Sequence, residues 1–397
     1  MKSNFLVLSV FFVLISICSA AFPVVCATGY QPAMTESQKM DDLSELPQIF
    51  YKQNGEVVIK WIEDGIVREI SEKDTPDFYE KVAQLGQQYR IPLKEALGYG
   101  RTRHQQAQTG VFENVSRWLA VSDIHGQYEL FVKLLQEHRV IDGELNWIFG
   151  ASHLVINGDI MDRGQGVTEA LWLVFKLQQQ AVAQGGRVHY NMGNHELMVL
   201  DNDLRYIHKK YAAAQDLLGE SYHAQFSQKS FFGQWISEQS LLFRINGTGF
   251  VHAGISPELV AMGLQPAEVN RLFVDSIMPQ EKDVYRESKR LGFLATTNGP
   301  VWYRGYFNDE NLTGDDIDAI FLWWGIEHMV VGHTSQDHVL TLFDGRIFAI
   351  DSSIKNGRSG EVLIYENGEF FRGLTDGSRV LMDGSQILME EAFKEKK

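Results

Sequence analysis

The sequence predicts an α/β layered domain with helical insertions, preceded by a small N-terminal α+β module. Three observations carry this prediction: strand, loop and helix alternate from Trp118 onward; each strand of that alternation runs into a polar, glycine-containing turn; and Asn-Gly or Asp-Gly pairs separate short β-rich runs near both ends of the chain. With 397 residues, 44% hydrophobic and 22% charged, the chain can bury a large core, which excludes a disordered or collagen-like protein. Lys and Arg number 36 against 51 Asp and Glu, a formal charge of −15. A nucleic-acid backbone is repelled by most of such a surface, so no nucleic-acid partner is expected, while a local cationic pocket for one phosphate remains compatible.

At the N-terminus, Lys2 precedes an apolar run from Phe5 to Ile17, broken only by Ser9 and Ser16, and small residues follow up to Ala20 or Ala27. This is a secretory signal pattern, 1–27 at its longest, with cleavage after either alanine, and it predicts a periplasmic or secreted protein. The run spans about 20 Å as a helix, short of a roughly 30 Å hydrocarbon core, so a stable membrane anchor is not expected. The only cysteines are Cys18 and Cys26. The mature chain therefore holds at most one, which excludes an internal disulfide and, where the chain starts after Ala27, any thiolate nucleophile. Bulky Ile17 and Val25 before the two cysteines argue against a lipoprotein anchor.

A polar lead-in runs from Thr28 to about Ser44. Ile49–Tyr51, Val57–Trp61 and Ile66–Ile70, separated by Asn54-Gly55 and Asp64-Gly65, predict a three-stranded meander. Helical spacing over Phe78–Tyr89 and Pro92–Leu97 and a polar stretch from Gly98 to Gly110 complete a small module over 47–110. The α/β layered domain is expected over 115–390. It opens with strand Trp118–Val121, helix Tyr128–His138, strand His153–Ile156, helix Val167–Ala183 and strand Arg187–Met192. Residues 201–245 and 257–295 read as helical insertions without strands of their own. Strand signals return at Gly249–Val251, Met329–Val331, Val339–Phe343, Arg346–Ile350, Val362–Tyr365 and Glu369–Arg372, with hairpins at Asp344-Gly345 and Asn367-Gly368. Lys394–Lys397 ends a solvated tail.

The residues that follow each strand carry the chemistry. They are Ser122-Asp123-Ile124-His125-Gly126, Asn157-Gly158-Asp159-Ile160-Met161-Asp162-Arg163-Gly164, Gly193-Asn194-His195-Glu196, Val251-His252-Ala253-Gly254 and Gly332-His333-Thr334. Carboxylate, amide and imidazole ligands brought to one end of a sheet by separate segments can enclose a metal. In order and spacing, over residues 118–355, these segments resemble the D-x-H-G, G-D-x-x-D-R-G, G-N-H-E and two late-histidine motifs of the calcineurin-like metallophosphoesterases, the phosphoprotein phosphatases among them. More narrowly the chain resembles the bacterial Shewanella-like, cold-active protein-tyrosine phosphatases. Ser122 and Ala253 depart from the family pattern, which has glycine at both positions in most members.

The resemblance implies a layered β-sandwich flanked by helices and a dinuclear site in which Asp123 and His125 hold one divalent ion, Asp159 bridges to a second, and Asn194, His252 and His333 complete it. Oxygen and nitrogen ligands without thiolates suit Mn, Fe or Zn. The implied reaction is in-line attack on phosphorus by a hydroxide shared between the ions. Arg163 and Arg304, with Asn194, would bind the phosphoryl oxygens, and His195, oriented by Asp162, would protonate the leaving group.

The remaining histidines, His104, His138, His153, His189, His208, His223, His328 and His338, read as structural or solvated. Glu196 reads as a loop brace rather than a ligand. Tyr206, Tyr211, Tyr222, Phe231, Phe232 and Trp235 read as core, whereas Trp302, Tyr303, Tyr306 and Phe307 flank Arg304 and are open to either a core or a substrate-facing role. Asp315, Asp316 and Asp318 read as solvated surface. The expected function is an exported phosphomonoesterase acting on phosphoprotein, with phosphotyrosine favoured by resemblance and phosphoserine or phosphothreonine equally served by the ligands. A dinucleoside polyphosphate hydrolase shares the motifs but needs more cations, for which Lys209-Lys210 and Lys289-Arg290 are the candidates. A phosphopeptide-binding pseudoenzyme would keep the fold without turnover.

Overall fold

The structure is a computed structural model and describes residues 43–99, 110–278 and 282–382. The signal pattern, both cysteines, His104, most of the polar 98–110 stretch and the terminal lysines lie outside the described residues.

Alternation of apolar residues dictates the N-terminal meander, in which β1 (Glu45–Tyr51), β2 (Val57–Glu63) and β3 (Ile66–Ser71) pair antiparallel. Asp64 and Gly65 both take positive φ, 50° and 72°, so the Asp-Gly pair makes the tight turn expected of it. The two helices of the module run over Phe78–Tyr89 and Leu93–Tyr99.

The rest of the described chain builds two six-stranded sheets. Its strands are β4 (Val111–Phe112), β5 (Arg117–Val121), β6 (His153–Ile156), β7 (Arg187–Tyr190), β8 (Leu242–Ile245), β9 (Thr248–Val251), β10 (His328–Val331), β11 (Leu340–Leu342), β12 (Ile347–Ala349), β13 (Val362–Glu366), β14 (Glu369–Gly373) and β15 (Arg379–Leu381). One sheet has the order β15-β14-β13-β5-β6-β7, the other β11-β12-β10-β9-β8-β4. The period of two along the strands explains how they stack. Trp118, Ala120, Val155 and Leu363 of the first sheet meet Phe243, Ile245, Phe250, Val330 and Phe348 of the second in one buried layer. Alternate residues Leu119, Val121, Leu154 and Ile156 face outward into a larger core with the helices Tyr128–Glu137 and Val167–Ala183. Each fully buried large apolar side chain of this kind contributes about 1.5–3 kcal/mol.

The sandwich corrects the helical reading of 201–245, because β8 is a strand whose Phe243 and Ile245 fill the inter-sheet layer. Asn246, at φ 49°, and Gly247 turn it directly into β9, Ile245 facing Thr248. The second sheet also begins earlier than 115, since Val111 and Phe112 pair in parallel with β8. The 47–110 module likewise begins at Glu45 rather than 47. The stretch that holds Asp315, Asp316 and Asp318 is a helix, Gly314–Trp324, in which Thr313 and Asp316 form a capping box and Asp318 pairs with Arg346 at 2.7 Å.

The N-terminal meander is welded to this body. Trp172 Nε1 donates to the Pro47 carbonyl at 3.1 Å, the Tyr51 N–H donates to the Lys229 carbonyl at 2.7 Å, and Leu43 and Ile62 pack on Ala214 and Leu218. Among the described residues no helix is long and apolar enough to cross a membrane.

His153 and His189 on β6 and β7 share a 3.0 Å ring-nitrogen contact, and His189 stacks on Phe243. Burial holds both imidazoles below their ordinary range, His153 at about 4. A group protonated more readily when unfolded makes stability present above the unfolded value, about 6.5, and lost as pH falls below it. Urea midpoints measured at pH 7.5 and 5.5 should fall on acidification, and the fall should be smaller in His189→Phe, which keeps the stack and removes the titration.

Candidate active site

Strands β5, β6 and β7 are parallel neighbours, and β9 and β10 are parallel in the facing sheet, so their carboxyl ends deliver side chains to shared ground. Every metal position expected from the sequence arrives there buried: Asp123 and His125 after β5, Asp159 after β6, Asn194 at the start of helix Asn194–Leu200 after β7, His252 after β9 and His333 after β10.

Asp159 is the centre. Its Oδ2 lies 3.4 Å from His252 Nε2, 3.6 Å from His125 Nε2 and 4.0 Å from His195 Nε2, while Oδ1 accepts the His195 backbone N–H at 2.9 Å. Two sets of ligand atoms converge within 4.8 Å, His125 with Asp159 and His195, and Asp159 with His252 and His333. Asp123 stands beside the first set, its Oδ1 3.9 Å from His125 Nε2. Asn194 Oδ1 stands 3.1 Å from His252 Nε2.

Backbone carbonyls fix the imidazoles. His125 Nδ1 donates to the Met161 carbonyl at 2.8 Å and His252 Nδ1 to the Asn157 carbonyl at 2.7 Å, which turns the Nε2 lone pair of each toward Asp159. The cluster is electrostatically incomplete without a cation. Burial and nearby Asp351 push the Asp123 carboxyl well up. Burial resists a charge on His252, yet Asp159 and Asp123 raise it to about 10, so a proton is drawn to the place a cation would occupy. Burial holds His125 down at about 3. His333 Nε2 is buried and has no hydrogen-bond partner. An orphaned imidazole nitrogen on a histidine that converges with Asp159 and His252 fits a site for divalent cations.

The backbone is bent to achieve this. Asp123, His125, Asp159, Asp162, Arg163 and His333 all have left-handed φ, between 47° and 70°. Such positions cost roughly 1–3 kcal/mol each and persist where the surroundings over-determine them. Gly158, at φ 89°, is required by space as well, since a Cβ there would come within 2.5 Å of His252 Nδ1. Glu196 is the brace expected of it: its two carboxylate oxygens accept the backbone N–H groups of Gly193 (2.8 Å), Asp159 (2.9 Å), Ile160 (2.8 Å) and Met161 (3.2 Å). Ser122, a departure from the family pattern, donates its hydroxyl to Asp123 Oδ2 at 2.5 Å.

His195 and its partners form the mouth. Nδ1 donates to Asp162 Oδ2 at 2.6 Å; burial lowers the imidazole, and Asp159 and Asp162 overcome this and leave it raised. Arg163 and Arg304 are both exposed. Arg163 Nη2 reaches to 3.5 Å from His195 Nε2, and Arg304 Nη1 donates to the His333 carbonyl and Thr334 Oγ1 at 3.2 and 3.3 Å.

Two residues were read differently from sequence. Tyr206 is not core: it is 42% exposed, its ring lies 5.3 Å from that of His195, and the Arg163 guanidinium sits 5.1 Å over it. Asp351, unsuspected, is buried, accepts the Ser335 hydroxyl at 2.5 Å and belongs to the field around Asp123. The other insertion aromatics are core as expected. Of the residues around Arg304, Tyr303 and Tyr306 are buried, with the Tyr306 hydroxyl accepting from Ile255 N–H at 2.9 Å, and Trp302 stands edge-on to His333.

This strand-end cluster on a double sheet is the site of a phosphoesterase fold. Residues 116–337 match the calcineurin-like phosphoesterase family model, and the chain belongs to that family. Its structure is similar to that of a cold-active protein-tyrosine phosphatase of a psychrophilic Shewanella species, with 35% identity, a TM-score of 0.75, and coverage of 86% of this chain and 99% of that one. An uncharacterized protein of Schizosaccharomyces pombe is 30% identical over 61% of this chain and 74% of its own length. Shewanella-like protein phosphatase 2 of Arabidopsis thaliana is 34% identical over a quarter of each chain.

Glu196→Gln turns an amide N–H₂ against backbone donors. It should cost about 2–4 kcal/mol of stability, read from urea unfolding, the range for leaving buried polar groups mispaired.

Proposed function

We propose that the protein is an exported phosphoprotein phosphatase with a preference for phosphotyrosine. The observation that carries the reading is the pairing of two exposed guanidinium groups, Arg163 and Arg304, with an imidazole, His195, already held by a buried carboxylate beside the Asp159 cluster. A phosphoryl dianion entering between the arginines finds planar donors matched to its oxygens, and Asn194 lies within the same ring of ligands. Two divalent ions, held by Asp123, His125, Asp159, Asn194, His252 and His333, would supply Lewis acidity and a water of lowered pKa. His195 faces the leaving oxygen with a proton, and Asp162 stabilises the charged imidazole before transfer and fixes which nitrogen carries it. The arginines neutralise the charge that grows on the phosphoryl oxygens.

Tyr206 and Trp302 border this site, and the relative named a protein-tyrosine phosphatase is matched over nearly its whole chain; both support an aromatic leaving group. A dinucleoside polyphosphate fits less well. Lys210, one of the candidate cations, is committed to Glu45 and Glu169, and Arg290 faces Glu268. The N-terminal pattern supports export, and protein isolated from the periplasmic or secreted fraction should begin after residue 20 or 27; an intact Met1 in the cytoplasmic fraction counts against it.

His195→Ala should lower kcat on phosphopeptides by roughly 10² to 10⁴ with metal content unchanged, and by less on p-nitrophenyl phosphate, whose leaving group departs without a proton. Phosphotyrosine and phosphoserine peptides of one sequence, compared by kcat/KM, should favour phosphotyrosine. Tyr206→Ala should shrink that ratio by about tenfold, as expected for losing one aromatic contact. A wild-type ratio near one would remove the tyrosine preference from the reading, and equal ratios in wild type and variant would remove Tyr206 from it.

A further inference from the structure

The loop that carries Asp162 and Arg163 is gripped by groups the reaction does not use. Lys210 Nζ donates to the Gln165 carbonyl at 3.1 Å, pairs with Glu169 at 3.0 Å and meets Glu45 of β1 at 2.8 Å. Tyr211 donates to the same carbonyl at 2.8 Å, and its hydroxyl accepts the Val167 N–H at 2.7 Å. Four residues before Lys210, the Tyr206 carbonyl accepts the N–H of Arg163 itself at 2.8 Å.

The Glu45 side chain has no exposed surface and that of Lys210 keeps only 13%. Burying an ammonium between two carboxylates loses hydration that their attraction regains only in part, so attachment of β1 alone would be served as well by apolar contacts. What this arrangement adds is direction. The ammonium donates to the first turn of helix Val167–Ala183 and to the loop carbonyl two residues after Arg163, and the Glu45 carboxylate of the N-terminal strand stands against it at ion-pair distance.

We propose that Glu45 and Lys210 are positioning residues for Arg163: the N-terminal meander braces the 162–166 loop through this buried ion cluster and so sets where the guanidinium meets the phosphoryl oxygens. This rests on the reading of Arg163 as a phosphate-holding group. It gives the N-terminal module a role in the reaction.

The test uses the full manganese-loaded chain, with p-nitrophenyl phosphate as substrate and inorganic phosphate as competitive inhibitor. Lys210→Met should raise KM and the phosphate inhibition constant by about tenfold, more than it lowers kcat, with metal content unchanged, and Lys210→Arg should recover part of the loss. In an Arg163→Ala background Lys210→Met should add little, because the group it positions is gone. Glu45→Gln, which keeps the volume and removes the charge, should move the phosphate constant in the same direction and carries the test if Lys210→Met does not fold. An unchanged phosphate constant in Glu45→Gln, or an undiminished Lys210→Met effect in the Arg163→Ala background, overturns the proposal. Should Arg163→Ala itself leave phosphate binding intact, the reading of Arg163 fails instead.

Discussion

One buried carboxylate organises the molecule. Asp159 sits in the interior with imidazoles converging on one of its oxygens and a backbone N–H on the other. Removing such a charge from water costs several kcal/mol, which only nearby positive charge and directed donors offset. Three histidines together hold the Asp159 carboxyl well below its usual range despite burial, whereas Asp123, with Asp351 beside it, is pushed the other way. Two similar residues a short distance apart are thus driven in opposite directions by what surrounds them, a pattern that marks a functional centre.

The backbone sets where those imidazoles stand, and carbonyls orient two of them while the Asp162 carboxylate orients His195. The parallel strands β5, β6 and β7 and the facing pair β9 and β10 end at the same level, and the turns beyond them take left-handed conformations that aim side chains inward. Glu196 gathers four N–H groups of the two central turns onto one carboxylate, so the strain of those turns is held by hydrogen bonds rather than by the ligands themselves. The core behind them is rigid because the two sheets interlock through Trp118, Phe243 and Phe250, and rigidity is what lets a site keep its geometry. The helical segment after Asn194 then adds the mouth, with Tyr206 under Arg163 and Lys210 behind the loop that carries it.

Much of this was legible in the residues. Short apolar runs with a polar motif after each announced the strands, and the helices Phe78–Tyr89 and Val167–Ala183 keep their expected bounds because their apolar spacing and flanking breakers agree. The ligand set was readable because its members follow strands, where side-chain direction is set by the backbone. What stayed hidden depends on distance along the chain. β8 carries only four residues between a helix and β9, and its signal was the overlooked Asn246-Gly247 turn. Tyr206 shares its spacing with the buried aromatics, and only the fold shows that it faces the arginine. Asp351 comes to Asp123, and Glu45 to Lys210, through tertiary packing that local pattern does not encode.

Two sets of ligand atoms meet at Asp159, and we propose that two cations share it. This sharing is tested most directly by metal analysis and calorimetric titration of wild type and Asp159→Asn after chelation and reloading with Mn. Wild type should bind two ions per chain, and the variant, still folded, should lose affinity at both sites. Retention of two ions at wild-type affinity in Asp159→Asn would contradict it.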